Sequence, residues 1–381
     1  MRSELAITCS PVSGMPLYVE ASSLLSRRLT GIGRFVARLM EALIRLRPLR
    51  LVTTEQPESA RNSKLSTALL CGQEIALNPG EIPSADEDVA SWTRKVLGLP
   101  RRKHDPGVSR GCPGLYTMLR PAQRHFRREL CLLYDFTPSV LPWSHTRDTR
   151  NSYGIFFTHT AALCDKAVAI SQSTQADARW LCALPPEDVI VGYPGPSLCV
   201  HAHAHQEAVA RRDNVLLVVS TLEPRKNGKF LIDWFLETKA LSPGMELWWV
   251  GPPGWLCDRF KLMRRRGNGR EIRFLGMISD RRLCTAYRQA TFTIYPSLYE
   301  GFGFPVLDSL WHGTPVLSGY NSSLAEFAGP GVFFFDACDP ASLDAACAEL
   351  QAAQPLAIDR EALRQQFSWD ALARQVHELC A

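Results

Sequence analysis

The sequence contains no run of about 18 apolar residues anywhere in its length, so no membrane-spanning helix is expected. It also lacks the continuous apolar segment of a signal peptide. The stretch "MPLYVEASSLL" near the start carries Glu20 and reads as a buried strand with its turn, so a cytoplasmic location is expected. Although the chain has 12 cysteines, it has no Cys-x-x-Cys and no even framework of spacings. In a reducing compartment such cysteines read as small buried hydrophobes. "HAHAH", His201 to His205, can place three imidazoles on one face of a strand. It lies between the turn "YPGPS" and the polar "QEAVARRDN", however, so it reads as an exposed linker and no metal site is expected.

A total of 381 residues suggests two domains, each large enough for its own core, and 46% apolar with 21% charged residues describes an ordinary globular protein. The net charge of +5 is unevenly spread: residues 1 to 200 hold 24 Lys and Arg against 18 Asp and Glu, and the remainder holds 19 against 20. "RRKH" at Arg101 to His104 and "RHFRRE" at Arg124 to Glu129 can rest against anionic lipid headgroups or an acidic acceptor, or can simply form a solvated face. No nucleic-acid partner is expected.

From residue 214 onward, short β-rich runs alternate with helical ones: "NVLLVVST", "GKFLIDWFLETKAL", "ELWWVG", "WLCDRFKLMRRR", "EIRFLG", "SDRRLCTAYRQA", "TFTIYPS". This alternation predicts a doubly wound parallel sheet, which binds ligands at the carboxyl ends of its strands. The first half repeats the pattern more loosely through "PLYVEAS", the amphipathic "GIGRFVARLMEALIRL", "LRLVTTE", "ELCLLYDF" and "KAVAIS". Residues 56 to 128 are poorly patterned and receive no assignment. The boundary is expected between Pro194 and Asn214, giving domains 1–200 and 201–381, with the last helix free to pack back on the first domain.

Four stretches carry the chemistry. "TGIGRF" sets Gly31 and Gly33 at a helix start just after a strand, a backbone that can approach a phosphate or sugar closely; a plain helix start explains it equally well. "LEPRKN" places Arg225 and Lys226 between a buried strand and a helix. There a planar fork and a mobile point charge suit a diphosphate. "YEGFGFPVLD" reads as strand, glycine-rich turn, helix, with Glu300 on the turn before Gly301 and Gly303, and Asp308 a turn or so into the helix. Such a turn is a ready anion site, and a carboxylate beside a phosphate is better used to accept hydrogen bonds from neutral sugar hydroxyls. No Asp-x-Asp metal pair stands beside this stretch.

The ordered set "TGIGRF", "YDFTPSVLP", "AVAISQSTQADARW", "YPGPS", "STLEPRKN", "FLGMISD", "YEGFGFPVLDSLWHGTPVLSG", "SSLAEF" and "FSWDALARQVHEL" covers nearly the whole chain. It resembles the retaining glycosyltransferases of family 4. The resemblance implies the GT-B fold, two Rossmann-like doubly wound parallel-sheet domains facing a cleft, with an E-x7-E signature. Carried over by motif, Arg225 and Lys226 match the basic pair on the donor diphosphate, Glu300 the acid on the transferred sugar, and Asp308 the acid on the ribose. The Phe302 to Phe304 backbone matches the N–H groups near the phosphate, and Met277 and Ile278 match positions lining the base. Tyr134 and Asp135 fall on the acceptor side.

Three positions depart from that pattern: Asp308 is shorter than the second Glu, Thr221 stands where many members have a further Arg, and Tyr134 where many have a His. The implied function is transfer of a sugar from a nucleoside-diphosphate sugar to a glycan or lipid-linked saccharide in cell-surface polysaccharide synthesis. No metal or other cofactor is implied, and the protein would be peripheral on the inner face of the membrane. "TLEPRKN" with "SSLAEF" resembles the O-antigen mannosyl- and rhamnosyltransferase subgroup, which implies GDP-mannose as donor. A nucleotide-sugar epimerase or sugar phosphorylase of the same architecture, or a non-catalytic nucleotide-sugar binder, stands as the alternative.

Overall fold

The computed structural model describes residues 14–25, 29–53, 73–78, 89–118, 120–121, 123–151, 161–197, 210–256, 269–353 and 356–381. The histidine run at 201–205 and most of the helix expected from Trp255 lie outside them. The chain divides into two compact units, one formed by Met1–Leu132, Leu163–Val168 and Trp369–Ala381, the other by Leu133–Ala162 and Ala169–Ser368.

In the first unit, β1 (Leu17–Glu20), β2 (Leu49–Val52), β3 (Gln73–Leu77), β4 (Arg101–Lys103), β5 (Pro113–Tyr116), β6 (Arg128–Leu133) and β7 (Lys166–Ala169) run in the order β4-β3-β2-β1-β5-β6-β7. β1 pairs in parallel with β2 and β5, and β5 with β6. The outer strands β3 and β4 are antiparallel, which departs from a purely parallel sheet. They come from the unassigned stretch, and β4 is Arg-Arg-Lys, fully exposed. A run of charges has no apolar alternation to mark it as a strand, yet it is what an unpaired sheet edge tolerates best.

Helix Gly31–Leu43 begins where the Thr30 hydroxyl accepts a hydrogen bond from Gly33 N at 3.2 Å. A Cβ on Gly33 would stand 2.9 Å from the Ser23 carbonyl oxygen, so this glycine is required by close backbone packing. The helix buries Phe35, Val36, Leu39, Met40 and Leu43 at helical spacing. The last helix, Trp369–Leu379, packs on it, with the Trp369 ring edge-on to Phe35 at 5.0 Å.

The second unit contains the short strand β8 (Val189–Val191) and a six-stranded sheet. The latter is formed by β9 (Val215–Val219), β10 (Glu246–Val250), β11 (Glu271–Gly276), β12 (Phe292–Tyr295), β13 (Val316–Gly319) and β14 (Val332–Phe335). The order is β11-β10-β9-β12-β13-β14, with every pair parallel. Leu216, Val218, Leu247, Trp249, Ile294 and Leu317 are buried in its core, which matches the continuous apolar runs that predict strands covered on both faces. β9 and β12 are neighbours at the point where the strand order reverses, so the loops leaving their carboxyl ends share one crevice.

Candidate functional site

Leu222–Asn227 leaves β9 and Ser297–Gly303 leaves β12, and the two loops are tied together. Leu298 N donates to Arg225 O at 2.9 Å, and the Ser297 hydroxyl lies 3.2 Å from the same oxygen. Asn227 adopts φ 56°, a left-handed conformation asparagine tolerates, and its side-chain amide donates to Ala337 O at 2.6 Å. That turn holds Arg225 and Lys226 inward.

Both cations meet Glu300. Arg225 Nη1 donates to Glu300 Oε2 at 2.6 Å and Lys226 Nζ to Oε1 at 2.5 Å. Oε1 also accepts from the Tyr295 hydroxyl at 3.0 Å and from the Ser297 hydroxyl. Lys226 Nζ reaches the Tyr295 oxygen at 2.7 Å, and Arg225 Nη2 donates to Glu223 Oε1 at 2.9 Å. Glu300 is only 7% exposed. Burial opposes its ionisation, but the charges of Arg225 and Lys226 outweigh burial and bring its pKa down to about 2. Burial pushes Glu223 the other way, so it is the weaker counter-charge. Lys226 is also less basic than usual, through burial and the neighbouring Arg225. Two cations thus converge on one firmly ionised carboxylate.

The glycines explain how the loop fits. A Cβ on Gly301 would lie 1.8 Å from the Tyr134 carbonyl oxygen and 2.7 Å from Asp135 Cβ, so Tyr134 and Asp135 abut the Glu300 loop. The Thr174 hydroxyl lies 3.2 Å from Tyr134 O and 3.1 Å from Gly301 O. Gly303 has φ 117° and directly precedes helix Phe304–Trp311. The Phe302 ring is 4% exposed and packs against Phe304, Phe327 and Phe367, so this residue can offer a ligand only its backbone.

The other site residues expected from the sequence are more scattered. Asp308 is 3% exposed, and its carboxylate accepts from the backbone N–H of Ser197 at 2.8 Å and from the Ser197 hydroxyl. Met277 is 53% exposed. Ile278 lines a cavity of about 440 Å³ with Trp248, Arg212, Arg273 and Arg282. Gly31 and Gly33 belong to the other compact unit, where local packing accounts for Gly33 and nothing among the described residues lies within 4 Å of a Cβ on Gly31.

Several contributors escape a reading by motif. Tyr295 ends β12, where a polar-tipped aromatic at a strand end was the available signal. Glu223 lies inside "LEPRKN" itself. "NSSLAEF" supplies the loop's anchors: Ser322 Oγ accepts from Glu300 N at 2.9 Å, and the Ser323 hydroxyl lies 2.9 Å from Glu300 O and 2.7 Å from Phe302 O.

Residues 202–367 match the family model described as glycosyl transferases group 1. O-antigen chain mannosyltransferase B of Escherichia coli is 36% identical over 172 residues, 42% of this chain and 43% of that protein. The serotype-specific mannosyltransferase WbdA of Escherichia coli is 26% identical over 230 residues, 56% of this chain and 28% of that protein. The chain thus spans less than half the length of each of these two relatives. Among solved structures, sucrose-phosphate synthase from Thermosynechococcus elongatus aligns at TM-score 0.63 and 16% identity, covering 96% of this chain and 98% of that one. Anabaena HepE in complex with UDP-glucose aligns at TM-score 0.62 and 15% identity, covering 95% and 98%. WaaG, a glycosyltransferase involved in lipopolysaccharide biosynthesis, aligns at TM-score 0.55 and 14% identity over 95% of each chain. At these identities the likeness concerns the fold, which is the GT-B architecture of two Rossmann-like units.

Proposed function

We propose that this chain, whose residues 202–367 carry the group 1 glycosyltransferase signature, is a retaining sugar transferase that uses a nucleoside-diphosphate donor. The observation that carries the reading is the convergence of Arg225 and Lys226 on Glu300 at the carboxyl ends of β9 and β12. Arg225 and Lys226 gather their N–H donors at one point beside Glu300, with Glu223 as a second counter-charge, and a diphosphate is the ligand that would compete for those donors. Arg225, Lys226 and the N terminus of helix Phe304–Trp311, reached through the backbone of Gly301, Phe302, Gly303 and Phe304, would stabilise the charge growing on the departing phosphate. Glu300, held ionised, would orient the sugar's hydroxyls while keeping both cations in place. Asp308 would hold the ribose, exchanging the Ser197 hydroxyl for a ribose hydroxyl. The base would lie toward Met277 and Ile278, and the acceptor toward Tyr134 and Asp135.

In this reading the anomeric C–O bond ionises towards an oxocarbenium-like state and the acceptor hydroxyl enters from the same face. Its proton passes to an oxygen of the leaving phosphate, which retains configuration without a protein nucleophile. The two mannosyltransferase relatives support mannose as the transferred sugar. In this reading GDP-mannose is the donor and a glycan or lipid-linked saccharide of the cell surface the acceptor. The exposed Arg101 to Lys103 edge would suit a peripheral position on an anionic membrane. The test is thermal stabilisation by a panel of nucleotide sugars, followed by NMR of the product's anomeric configuration with the stabilising donor. Retention with net transfer supports the reading. Turnover of donor without an acceptor would favour an epimerase, and stabilisation without turnover a binder.

A further inference from the structure

His145 lies in none of the motifs above, yet it has an unusual environment. It follows the short turn Pro142–Ser144, and its backbone N donates to Pro142 O at 3.3 Å. Trp255 fixes this turn from the loop after β10: its indole N–H donates to Ser144 O at 2.9 Å, and its ring lies 6.0 Å from the His145 ring, tilted by 34°. The histidine is 7% exposed, and neither ring nitrogen has a hydrogen-bonding partner among the described residues. Buried polar side chains nearly always have partners, so a side chain with two unmet ring nitrogens calls for one.

Its neighbours narrow the choice. Burial and the charge of Arg225 both disfavour the imidazolium, with Asp135 opposing them less strongly, so the ring is held towards its neutral form. A neutral imidazole offers one N–H donor and one lone-pair acceptor. An anion would be met instead by Arg225 and Lys226. A hydroxyl group both donates and accepts, and it matches the ring. The position also fits the sugar end of the site. Arg225, whose charge reaches His145, bonds Glu300 at 2.6 Å, and Asp135, which also acts on His145, abuts Gly301. Asp135 is itself fixed by Thr137, whose backbone N and hydroxyl donate to its carboxylate at 3.0 and 2.7 Å.

We infer that His145 hydrogen-bonds a hydroxyl of the transferred sugar, so that it distinguishes a sugar nucleotide from its bare nucleoside diphosphate. The inference rests on the donor-binding function proposed above.

Calorimetric titration of the full chain with GDP-mannose and GDP, and with UDP-glucose and UDP, tests it. The wild type is compared with two apolar replacements of different shape, His145→Phe and His145→Leu, and with His145→Gln, which keeps a donor and an acceptor. Both apolar variants should hold the diphosphate within about twofold of wild type and bind the sugar nucleotide roughly five- to tenfold more weakly, the scale of one neutral hydrogen bond. His145→Gln should recover part of the loss. Retained diphosphate binding in either apolar variant shows that the fold is intact. If that variant also binds sugar nucleotide as wild type does, or if both apolar variants lose both ligands equally, His145 does not touch the transferred sugar. If wild type binds no nucleoside diphosphate at all, the functional reading falls, and this inference with it.

Discussion

Glu300 and Asp308 stand eight residues apart, are both almost fully buried, and differ in what holds them. Glu300 is gripped by two cations and two hydroxyls, whereas Asp308 accepts from the backbone N–H and hydroxyl of Ser197. Equal burial therefore conceals unequal chemistry. Removing Glu300 leaves two buried cations without their main counter-charge, which is costly in a poorly polarisable setting. Removing the charge of Asp308 leaves the Ser197 N–H and hydroxyl to re-pair. A carboxylate that accepts from a hydroxyl can trade it for another at little cost, while one held by cations keeps them aimed at a shared target.

The sharpest test of this contrast replaces members of the Glu300 cluster. Lys226→Ala should lower turnover by roughly 10² to 10⁴-fold, about 3–5 kcal/mol of transition-state stabilisation, and should weaken diphosphate binding as well. Glu300→Gln should lower turnover comparably but leave diphosphate affinity unchanged or higher, because it releases positive charge towards the phosphate. Steady-state kinetics with calorimetry separates the two patterns. Near-native turnover in either variant would remove the cluster from the mechanism.

Next in size is an acid-range effect. The Glu300 pKa is about 2 in the folded chain against an ordinary value of 4.5, so it is depressed by folding. Its stabilisation is then fully present above about pH 4.5 and disappears as pH falls through about 2, amounting to roughly 3 kcal/mol. Denaturant unfolding between pH 6 and 2.5 should show a steeper fall for wild type than for Glu300→Gln. Parallel curves would mean that the cations do not hold the carboxylate ionised.

For Asp308 the expected effect is smaller. Asp308→Asn should weaken binding of the matching nucleoside diphosphate by about 1–3 kcal/mol, the scale of a charge-assisted hydrogen bond, while Asp308→Glu should preserve it. A carboxylate that merely complements its helix would give a different result, with Asn costing stability and leaving affinity alone. Calorimetric titration beside thermal unfolding distinguishes the two. Unchanged affinity in Asp308→Asn would leave Glu300 as the only working acid of the motif.

The contrast also marks how far the residues could be read in advance. The strands of the second unit were legible because β9 to β14 are short apolar runs bounded by turns, and Glu300, Arg225 and Lys226 were legible because each sits just past such a strand. β3 and β4 were not, since an edge strand of Arg-Arg-Lys owes its structure to pairing and carries no pattern of its own. The ion pairs of Glu300 were equally out of reach. Sequence places an acid beside a phosphate and suggests repulsion, but only geometry shows that two cations already surround it. Ser197 lies more than a hundred positions from Asp308, and no local pattern joins them.

The smallest expected effect concerns metal. If Arg225 and Lys226 supply the diphosphate's counter-charge, as their convergence on Glu300 suggests, a divalent ion has no further charge to neutralise at the leaving group. Transfer should then proceed at an unchanged rate in excess EDTA, and added magnesium or manganese should not raise it. The measurement bears on the comparison of the two acids as well. If EDTA abolished transfer and manganese restored it, the phosphate's charge would be carried by an ion, and a motif acid other than Glu300, whose oxygens Arg225 and Lys226 occupy, would be the better ligand for it. Asp308 would then become the candidate ligand, and Glu300 would be left with the structural task of anchoring Arg225 and Lys226.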